Sequence, residues 1–220
     1  MKSEFIPITI VDGFFKNPDE IRQKALSFDY GIQGNHSGFR TKPLQLIDQD
    51  LFKLISSKIF SLFLNLDKEV VNYDLGISFH YTPKNFDFGW AHTDSGFYCA
   101  GVIYLTPNPP EDTGTIIFDD FKDFEESEKS QITKNYYYTQ RIKHKDYDKL
   151  RKKHNSSVNK NIIVENVYNR ALIYPANYTH AENNFFGDTK EDSRLTCVFF
   201  LSKVSSSGLF PIDRANQIDI

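Results

Sequence analysis

The sequence is poor in cysteine, with only Cys99 and Cys197 among its 220 residues. This scarcity disfavours a fold that is held together by disulfides. Both cysteines lie inside apolar, strand-like runs, which predicts buried free thiols and a reducing compartment. The expected location of the protein is therefore the cytoplasm.

The sequence also lacks long apolar runs and a strong excess of one charge. No run approaches the roughly 20 residues of a membrane span. The N-terminus, Met-Lys-Ser-Glu-Phe-Ile, has a lone lysine and no following apolar stretch, so a secretory signal is not expected. The 26 basic and 29 acidic residues give a net charge of −3. We therefore expect no nucleic-acid partner and no membrane partner, and the sequence leaves the oligomeric state open.

Aromatic residues, by contrast, are abundant: the chain has 20 Phe and 12 Tyr. Such side chains suit a β-rich core and an amphipathic pocket lining. Compositional drift in an AT-rich genome would also enrich them, and this alternative stays open. The length of 220 residues suits one domain with a substantial core.

Two helices are predicted in the first third of the chain. The first follows Asn17, a plausible N-cap, with Pro18 at the first helical position, and it runs through about Ser27. The second spans 48–66, where apolar residues fall on one stripe, as in a helix that packs against a sheet. These are Leu51, Leu54, Ile55, Ile59, Leu62 and Phe63.

The rest of the chain is mainly β in pattern, with flanking helices. We divide the single domain, 1–220, into an N-terminal strand with supporting helices (1–68), a jelly-roll core (69–204) and a tail (205–220). The order of elements suits a β-sandwich or barrel of jelly-roll type with helices along one sheet. Strands are predicted at 5–11, 69–82, 98–106, 114–118, 162–167, 171–174 and 195–204.

A charged insertion at about 119–160 interrupts the β pattern. It carries the cluster Tyr136-Tyr137-Tyr138 and one predicted helix at 147–154. Long loops in compact domains are often lids or binding elements. Phe121, Phe124 and the three tyrosines therefore either line a pocket mouth or pack the insertion onto the core.

The chemistry of the sequence is concentrated at His92 and Asp94, which are separated by one residue. Residues i and i+2 of an extended segment point to the same face, so this imidazole and carboxylate suit two neighbouring positions on a metal. His180, after the apolar run 171–175, is the best third ligand. Two histidines and one carboxylate form the facial triad of non-haem Fe(II) oxygenases. The competing interpretation makes His92 and His180 core histidines that are bonded to backbone groups.

An arginine follows His180 on the last apolar strand. Arg194, with Thr196 two places on, can hold a carboxylate through paired charge-assisted bonds. An arginine in an apolar strand is costly to bury without an anion, which favours a ligand. The alternative is a structural ion pair with a carboxylate nearby in sequence, namely Asp188, Glu191 or Asp192.

These residues resemble the Fe(II)- and 2-oxoglutarate-dependent dioxygenases, and within them the prolyl-4-hydroxylase-like group. Tyr81 and Gly89 resemble the family's Tyr-x-x-Gly segment ahead of the His-x-Asp pair. Residues 102–106 resemble a strand that ends in Tyr-Leu-Asn, and residues 113–118 resemble Gly-Gly-x-x-x-Phe with one of its two glycines present. Residues 169–175, followed by His180 and Arg194-Leu-Thr196, resemble the closing strands. The resemblance covers about 70–202 and is closest to uncharacterised bacterial and phage members.

The resemblance implies a double-stranded β-helix of cupin-like type and a hydroxylase that consumes 2-oxoglutarate. Dioxygen is the second co-substrate, ascorbate is a permitted reductant, and the primary substrate is an amino-acid-like small molecule or a protein side chain. His92, Asp94 and His180 would hold Fe(II) as the catalytic centre. The co-substrate would be bound by Arg194, Thr196, Tyr104 and, at its chelating end, Tyr81.

Asp94 bears on the type of reaction. The related halogenases have a small residue at this position, so the carboxylate favours hydroxylation or an allied oxidation. Two other functions stay open. One is a non-catalytic jelly-roll binding module or phage-associated structural module that retains a metal pocket. The other is a cupin-like metalloenzyme that does not use 2-oxoglutarate.

The remaining histidines and one arginine are expected to lie outside the site. His80 is adjacent to Tyr81 and is expected to be packed on the opposite face. His144 and His154 are expected to be solvated within the charged insertion. His36 and Arg40 belong to a polar, glycine-containing segment, 31–42, that is expected to be a loop. They could border a pocket, but we expect them to face solvent.

Overall fold

A computed structural model of the protein describes residues 5–32, 34–119, 127–140 and 147–218. Its first third contains strand β1 (Thr9–Val11), helix α1 (Pro18–Ser27), strand β2 (Phe39–Arg40) and helices α2 (Leu44–Ile47) and α3 (Gln49–Ser61). Strands β3 (Val71–Thr82), β4 (Cys99–Tyr104) and β5 (Thr115–Phe118) follow. The rest comprises α4 (Glu128–Gln140), α5 (Tyr147–Asn155), β6 (Lys160–Val164), β7 (Ala171–Pro175), β8 (His180–Glu182), β9 (Arg194–Ser206) and α6 (Pro211–Ala215).

The two helices predicted near the N-terminus are confirmed, with shifted ends. Pro18 starts α1 as expected, although the side chain of Asn17 makes no capping hydrogen bond. The helix predicted at 48–66 begins one residue later, where the Asp48 carboxylate accepts the backbone N–H of Leu51 at 3.0 Å. It ends at Ser61. Leu54, expected on the buried stripe, is 48% exposed, and Phe60 is buried instead.

Nine strands form two antiparallel sheets in the described part of the chain. The larger sheet has six strands in the order β1-β7-β4-β9-β3-β2, and the smaller sheet has the order β6-β5-β8. Strands that are far apart in sequence are therefore neighbours: β4, for example, pairs with both β7 and β9. This crossing of the chain brings residues near 92 and residues near 180 to the same place. The architecture is mixed α/β, with more helix than a mainly β chain would have.

The larger sheet is covered on both faces. On one face, Ile21, Ala25, Leu51, Ile55 and Ile59 of the helices form one buried cluster with the sheet. The sheet contributes to this cluster Leu75, Ile77, Phe79, Cys99, Ile103, Leu195, Cys197 and Phe199. Each fully buried side chain of this size stabilises the fold by roughly 1.5–3 kcal/mol. Both cysteines are buried and free, as predicted.

The other face of the larger sheet meets the smaller sheet. A second buried cluster joins Ala100, Val102, Leu172 and Val198 to Ile117 and Val164 of the smaller sheet. Across this inner face, one row of residues runs through four adjacent strands: Arg40 pairs with His80, His80 with Thr196, and Thr196 with Tyr104. Directly paired residues point to the same face of a sheet. The row therefore lines the space between the sheets.

No helix within 5–32, 34–119, 127–140 or 147–218 has the length and apolar character needed to cross a bilayer.

Candidate metal centre

Three side chains meet at the open end of the space between the sheets. Oδ1 of Asp94 lies 3.6 Å from Nε2 of His92, and Oδ2 of Asp94 lies 3.4 Å from Nε2 of His180. One ligand atom from each residue lies within 4.8 Å of the other two. The two imidazole rings have centroids 4.4 Å apart. The predicted triad is thus brought together although 85 residues lie between Asp94 and His180 in the chain.

Backbone hydrogen bonds fix the positions of the three ligands. The N–H of His92 donates to the carbonyl of His180 and the N–H of His180 donates to that of His92, each at 2.9 Å. This reciprocal pair is an isolated antiparallel bridge outside the regular strands. The N–H of Asp94 donates to Ala176 at 2.8 Å. Because these bonds belong to the main chain, the ligands are held in place before any metal binds.

Each histidine ring is also oriented by a carbonyl oxygen two residues earlier. Nδ1 of His92 donates to the carbonyl of Trp90 at 2.6 Å, and Nδ1 of His180 donates to that of Tyr178 at 2.9 Å. A carbonyl oxygen only accepts, so the Nδ1 atoms carry the protons and the Nε2 atoms keep their lone pairs. This is the outer-shell arrangement that metal-binding histidines commonly have. The contacts to backbone carbonyls use only the Nδ1 atoms. They are therefore compatible with metal binding through the Nε2 atoms.

The electrostatics of the triad suit a cation. Oδ2 of Asp94 is buried and has no hydrogen-bond partner among the described residues, a costly state for a carboxylate oxygen. Loss of hydration on burial, with the nearby Lys134 and His180, lowers the pKa of His92 to about 3. The ring is therefore neutral near pH 7. Two imidazoles and a carboxylate with an unsatisfied oxygen match the donor set of a non-haem Fe(II) site.

Arg194 lies deep in the same cavity and is only 1% exposed. Its Nε donates to the carbonyl of Thr113 at 3.1 Å and one terminal nitrogen donates to the Thr115 hydroxyl at 3.4 Å. Within the described ranges no carboxylate forms an ion pair with it, so the structural pairing with Asp188, Glu191 or Asp192 is not observed. A buried guanidinium that lacks an anion is ready to receive one.

The two hydroxyl residues that were expected beside Arg194 lie behind the cavity wall. The ring of Tyr104 is 5.3 Å from the guanidinium carbon of Arg194, and its hydroxyl shares a hydrogen bond of 2.7 Å with Thr115. The Thr196 hydroxyl donates to the carbonyl of His80 at 3.2 Å. Both residues are fully buried. Thr115, which the sequence did not single out, is the hydroxyl closest to Arg194 that also lines the cavity.

Tyr81 was expected in the cavity and His80 on the opposite face of the strand, and the structure places them the other way round. Tyr81 packs on the helix-covered face, with its ring centroid 5.0 Å from that of Tyr30 and 5.1 Å from that of Phe39. His80 lines the cavity. The reason is the alternation along β3: Tyr81 shares a face with Ile77 and Phe79, which belong to the apolar core. The assignment of Tyr81 as a 2-oxoglutarate contact does not agree with this placement.

Helix α5 of the insertion holds the backbone immediately before His92. Arg151 donates to the carbonyls of Phe86 and Phe88, each at 3.0 Å. Nε2 of His154 bonds the carbonyl of Ala91 at 2.6 Å. His154 is therefore buried, and the expectation that it is solvated was wrong because the helix packs inward against this segment. His144 lies outside the described residues.

A cavity of about 360 Å³ contains the triad and Arg194. Helix α4 contributes Lys134 and Tyr138 to its wall. The Tyr138 hydroxyl accepts a hydrogen bond from Ser37 at 3.1 Å. Of the other two tyrosines in the cluster, Tyr137 is buried against neighbouring rings and Tyr136 is 45% exposed. Phe121 and Phe124 lie outside the described residues.

Three further cavity residues were missed or misplaced by the sequence analysis. His36 and Arg40 are half-buried and line the cavity, because β2 pairs with the edge of β3 and turns this segment inward. Glu182 was not singled out, but it also lines the cavity. Its spacing of two from His180 on a strand was an available signal, since i and i+2 share a face.

Comparison with known proteins gives a family and a fold. A protein-family model described as "Family of unknown function (DUF6445)" matches residues 1–201. No curated protein matches the chain. Solved structures do match, and all three given next are very distant in sequence, so their similarity concerns the fold.

The first is HygX from Streptomyces hygroscopicus with nickel and 2-oxoglutarate bound, with 12% identity, 90% of this chain and 83% of that chain covered, and a TM-score of 0.57. The second is a prolyl hydroxylase from Trichoplax adhaerens in complex with a hypoxia-inducible-factor peptide, with 12% identity, coverage of 96% and 87%, and a TM-score of 0.51. The third is SnoN, a non-heme alpha-ketoglutarate-dependent epimerase from nogalamycin biosynthesis, with 10% identity, coverage of 90% and 80%, and a TM-score of 0.51. The chain thus has the fold of the Fe(II)/2-oxoglutarate dioxygenases, prolyl hydroxylases included.

Proposed function

The chain belongs to the DUF6445 family, whose function is unknown, and we propose that it is an Fe(II)- and 2-oxoglutarate-dependent oxygenase that hydroxylates its substrate. The observation that carries this proposal is the meeting of four side chains in one cavity. His92, Asp94 and His180 present a metal-ligand set, and the buried Arg194 presents a cation that has no anionic partner among the described residues. The three metal-site residues are suited to a metal ion, and the guanidinium of Arg194 is suited to a carboxylate.

The fold supports the same proposal. Two antiparallel sheets face each other around the triad, and helices cover the outer face of the larger sheet. We assign this arrangement to the double-stranded β-helix of the cupin-like oxygenases. The likeness to HygX, whose structure holds nickel and 2-oxoglutarate, supports both the metal and the co-substrate.

In this proposal the chain's own residues bind and orient the reactants. His92, Asp94 and His180 hold Fe(II) through two Nε2 atoms and the carboxylate. When bound, the metal supplies the activation of dioxygen, which no side chain can provide. The balanced reaction converts R–H, dioxygen and 2-oxoglutarate into R–OH, succinate and carbon dioxide.

Arg194 would bind the carboxylate of 2-oxoglutarate that is remote from the metal. Thr115, which lines the cavity beside the guanidinium, can satisfy a remaining lone pair of such a carboxylate. Tyr104, behind the cavity wall, would orient the Thr115 hydroxyl. Thr196 would support this wall through its bond to the backbone of His80. The apolar residues between the sheets exclude water from the end of the cavity where Arg194 lies. This exclusion strengthens the ion pair between Arg194 and the carboxylate of 2-oxoglutarate.

The test is anaerobic addition of Fe(II) and then 2-oxoglutarate to the full chain. An oxygenase of this class gives a weak visible charge-transfer band only when both are present. Admission of air should then release succinate. A non-catalytic binding module would give neither signal, and a cupin-like metalloenzyme would bind Fe(II) without the 2-oxoglutarate-dependent band. Mass analysis of a turned-over substrate would separate hydroxylation, which adds one oxygen atom, from epimerisation, which adds none.

A further inference from the structure

Two side chains of opposite charge face the cavity without pairing with each other. Arg40 lies on β2 at the edge of the larger sheet, and Glu182 lies on β8 of the smaller sheet. Both line the cavity that contains the triad. In the described ranges, neither side chain takes part in an ion pair within 4.0 Å or in a side-chain hydrogen bond. The proposed metal and 2-oxoglutarate sites use neither residue.

Arg40 needs an anion. Its Nε is buried and has no hydrogen-bond partner among the described residues, while its guanidinium carbon lies 5.4 Å from the ring centroid of Phe200. A buried donor that is left unsatisfied costs about 1–3 kcal/mol, and more for a charged group. Desolvation lowers the pKa of Arg40, and the charges of Glu182 and Asp94 act in the opposite direction. A bound carboxylate would relieve both the lost hydration and the missing acceptor.

Glu182 projects from β8 on the opposite side. It pairs with Thr115 across the smaller sheet, and it points to the same face as His180 because the two are at positions i and i+2 of one strand. Gly89 lies directly against it: an added Cβ at Gly89 would overlap the Glu182 carboxylate and would lie 2.7 Å from its backbone nitrogen. A fixed carboxylate beside the metal ligands, without a cationic partner in the described chain, is suited to an ammonium group.

Arg40 is separate from the 2-oxoglutarate arginine. Arg194 lies on β9, opposite Thr82 of β3, and bonds residues of the 113–115 segment. Arg40 lies on β2, opposite His80, and contacts Phe200. The cavity thus offers two guanidinium groups, with Arg194 next to the Tyr104–Thr115 hydroxyl pair and Arg40 at the sheet edge. The carboxylate of 2-oxoglutarate that is remote from the metal would bind Arg194. Arg40 is therefore left for another ligand.

We propose that the primary substrate is a free amino acid whose carboxylate binds Arg40 and whose ammonium group binds Glu182. This inference rests on the proposed oxygenase function, because it places the amino acid beside the metal as the molecule that is oxidised. Size supports it. A cavity of about 360 Å³ is near the lower end of ligand pockets, which span roughly 300–1,000 Å³, and it must also hold 2-oxoglutarate.

The experiment is anaerobic calorimetric titration of the full chain loaded with Mn(II), a redox-inactive substitute, and 2-oxoglutarate. The probes are a panel of free α- and ω-amino acids, with the carboxamide and the N-acetyl derivative of each one that binds. We expect at least one free amino acid to bind about tenfold or more tightly than either derivative, as for buried charge pairs. Arg40→Met should abolish the preference for acid over amide, and Glu182→Gln the preference for free amine over N-acetyl amine.

Matched controls are Arg214→Met and Glu111→Gln, which alter exposed residues outside the cavity and should preserve both preferences. Equal binding of acid and amide by the wild type, binding of no probe, or preferences that survive in Arg40→Met and Glu182→Gln would each overturn the inference. The dissociation constant of 2-oxoglutarate, measured first on the same samples, separates the two proposals. Its binding without amino-acid selectivity refutes the substrate assignment alone, whereas its failure to bind refutes the oxygenase function.

Discussion

Asn155 accepts a hydrogen bond from the backbone N–H of Ala91 at 2.9 Å, and this bond joins helix α5 to the residue immediately before His92, the first residue of the proposed metal site. The same side chain donates to the carbonyl of Gly89 at 3.0 Å. The insertion therefore does more than cover the cavity. It fixes the backbone from which His92 and its orienting carbonyl, that of Trp90, project.

Replacing Asn155 should therefore weaken the metal site without touching a ligand. In Asn155→Ala the Ala91 N–H and the Gly89 carbonyl lose their partner, and the orientation of His92 relaxes. Loss of an outer-shell partner typically costs 10–100-fold in metal affinity or activity, so we expect Mn(II) to bind about tenfold more weakly. The measurement is anaerobic Mn(II) titration by calorimetry. Ser156→Ala, at an exposed neighbouring position, is the control, and equal Mn(II) affinity in both variants would contradict this role.

Asp94→Ala should abolish metal binding while leaving the metal-free protein at least as stable. The carboxylate has a buried oxygen without a partner in the described chain, so its removal relieves a cost. The wild type should gain stability from a metal at 100 times its Kd, about 2.7 kcal/mol, and the variant should gain none. Thermal unfolding with and without Mn(II) measures both quantities. Asp29→Ala, at an exposed site, should behave as the wild type; a metal-induced shift that persists in Asp94→Ala would remove Asp94 from the ligand set.

Arg194→Met should separate co-substrate binding from metal binding. Removing one partner of a buried charge pair costs about 2–5 kcal/mol, so the affinity for 2-oxoglutarate should fall by about 30-fold or more. Mn(II) affinity should change little, because the side chain of Arg194 bonds Thr113 and Thr115 and not the three metal-site residues. Calorimetric titration of 2-oxoglutarate into the Mn(II) protein tests this, with Arg214→Met as the control. Unchanged 2-oxoglutarate affinity would favour a metalloenzyme that does not use this co-substrate.

Tyr104→Phe and Tyr81→Phe form a matched pair on opposite faces of the larger sheet. Loss of the Tyr104 hydroxyl removes a hydrogen bond beside Arg194, worth about 0.5–1.5 kcal/mol, so 2-oxoglutarate should bind about 2–10-fold more weakly. Tyr81→Phe should leave this affinity unchanged, since its ring packs against Tyr30 and Phe39. A loss of affinity in Tyr81→Phe as large as that in Tyr104→Phe would restore Tyr81 as a co-substrate contact.

Gly89→Ala should damage both stability and the site. The added Cβ would lie 2.7 Å from the backbone nitrogen and 2.8 Å from the carbonyl oxygen of Glu182, closer than real Cβ contacts. Overpacking of this kind typically costs about 1–3 kcal/mol, and here it would also displace the segment that carries His92. Gly76→Ala is the matched control, because an added Cβ there meets nothing within 4 Å. Urea unfolding and Mn(II) titration of both variants test the prediction, which fails if the two behave alike.

Local sequence pattern was sufficient for several of the elements and for the candidate ligand set. Helices α1 and α3 follow from capping residues and an apolar stripe, and β3 follows from its alternation, because these signals depend on backbone geometry over a few residues. His92, Asp94 and His180 could be predicted because few residue types bind Fe(II) and their order restricts the choice. The burial of Arg194 in the same cavity agrees with the sequence analysis, and its binding of a carboxylate stays a prediction.

The sequence pattern did not decide which face of strand β3 lines the cavity. Alternation along β3 puts Tyr81 with Ile77 and Phe79, and His80 with Ser78, but it does not say which set meets the cavity. The apolar set packs on the helices because burying its larger apolar area there is more favourable. The more polar set is therefore left for the cavity. Reading β3 in this way would have placed His80, rather than Tyr81, in the site.

The sequence by itself thus predicted helices α1, α3 and α5, seven of the nine strands in the described chain and the residues that can hold a metal. It did not predict helices α2, α4 and α6 or the short strands β2 and β8. Only the tertiary structure decided what surrounds the metal-site residues. Arg40, His154 and Asn155 act across distances of about 40 to 65 residues in the chain, through β2 pairing with β3 and α5 packing on the segment before His92. Such contacts depend on how separate elements pack against one another. Local residue spacing carries no information about that packing, so the cavity lining had to come from the fold.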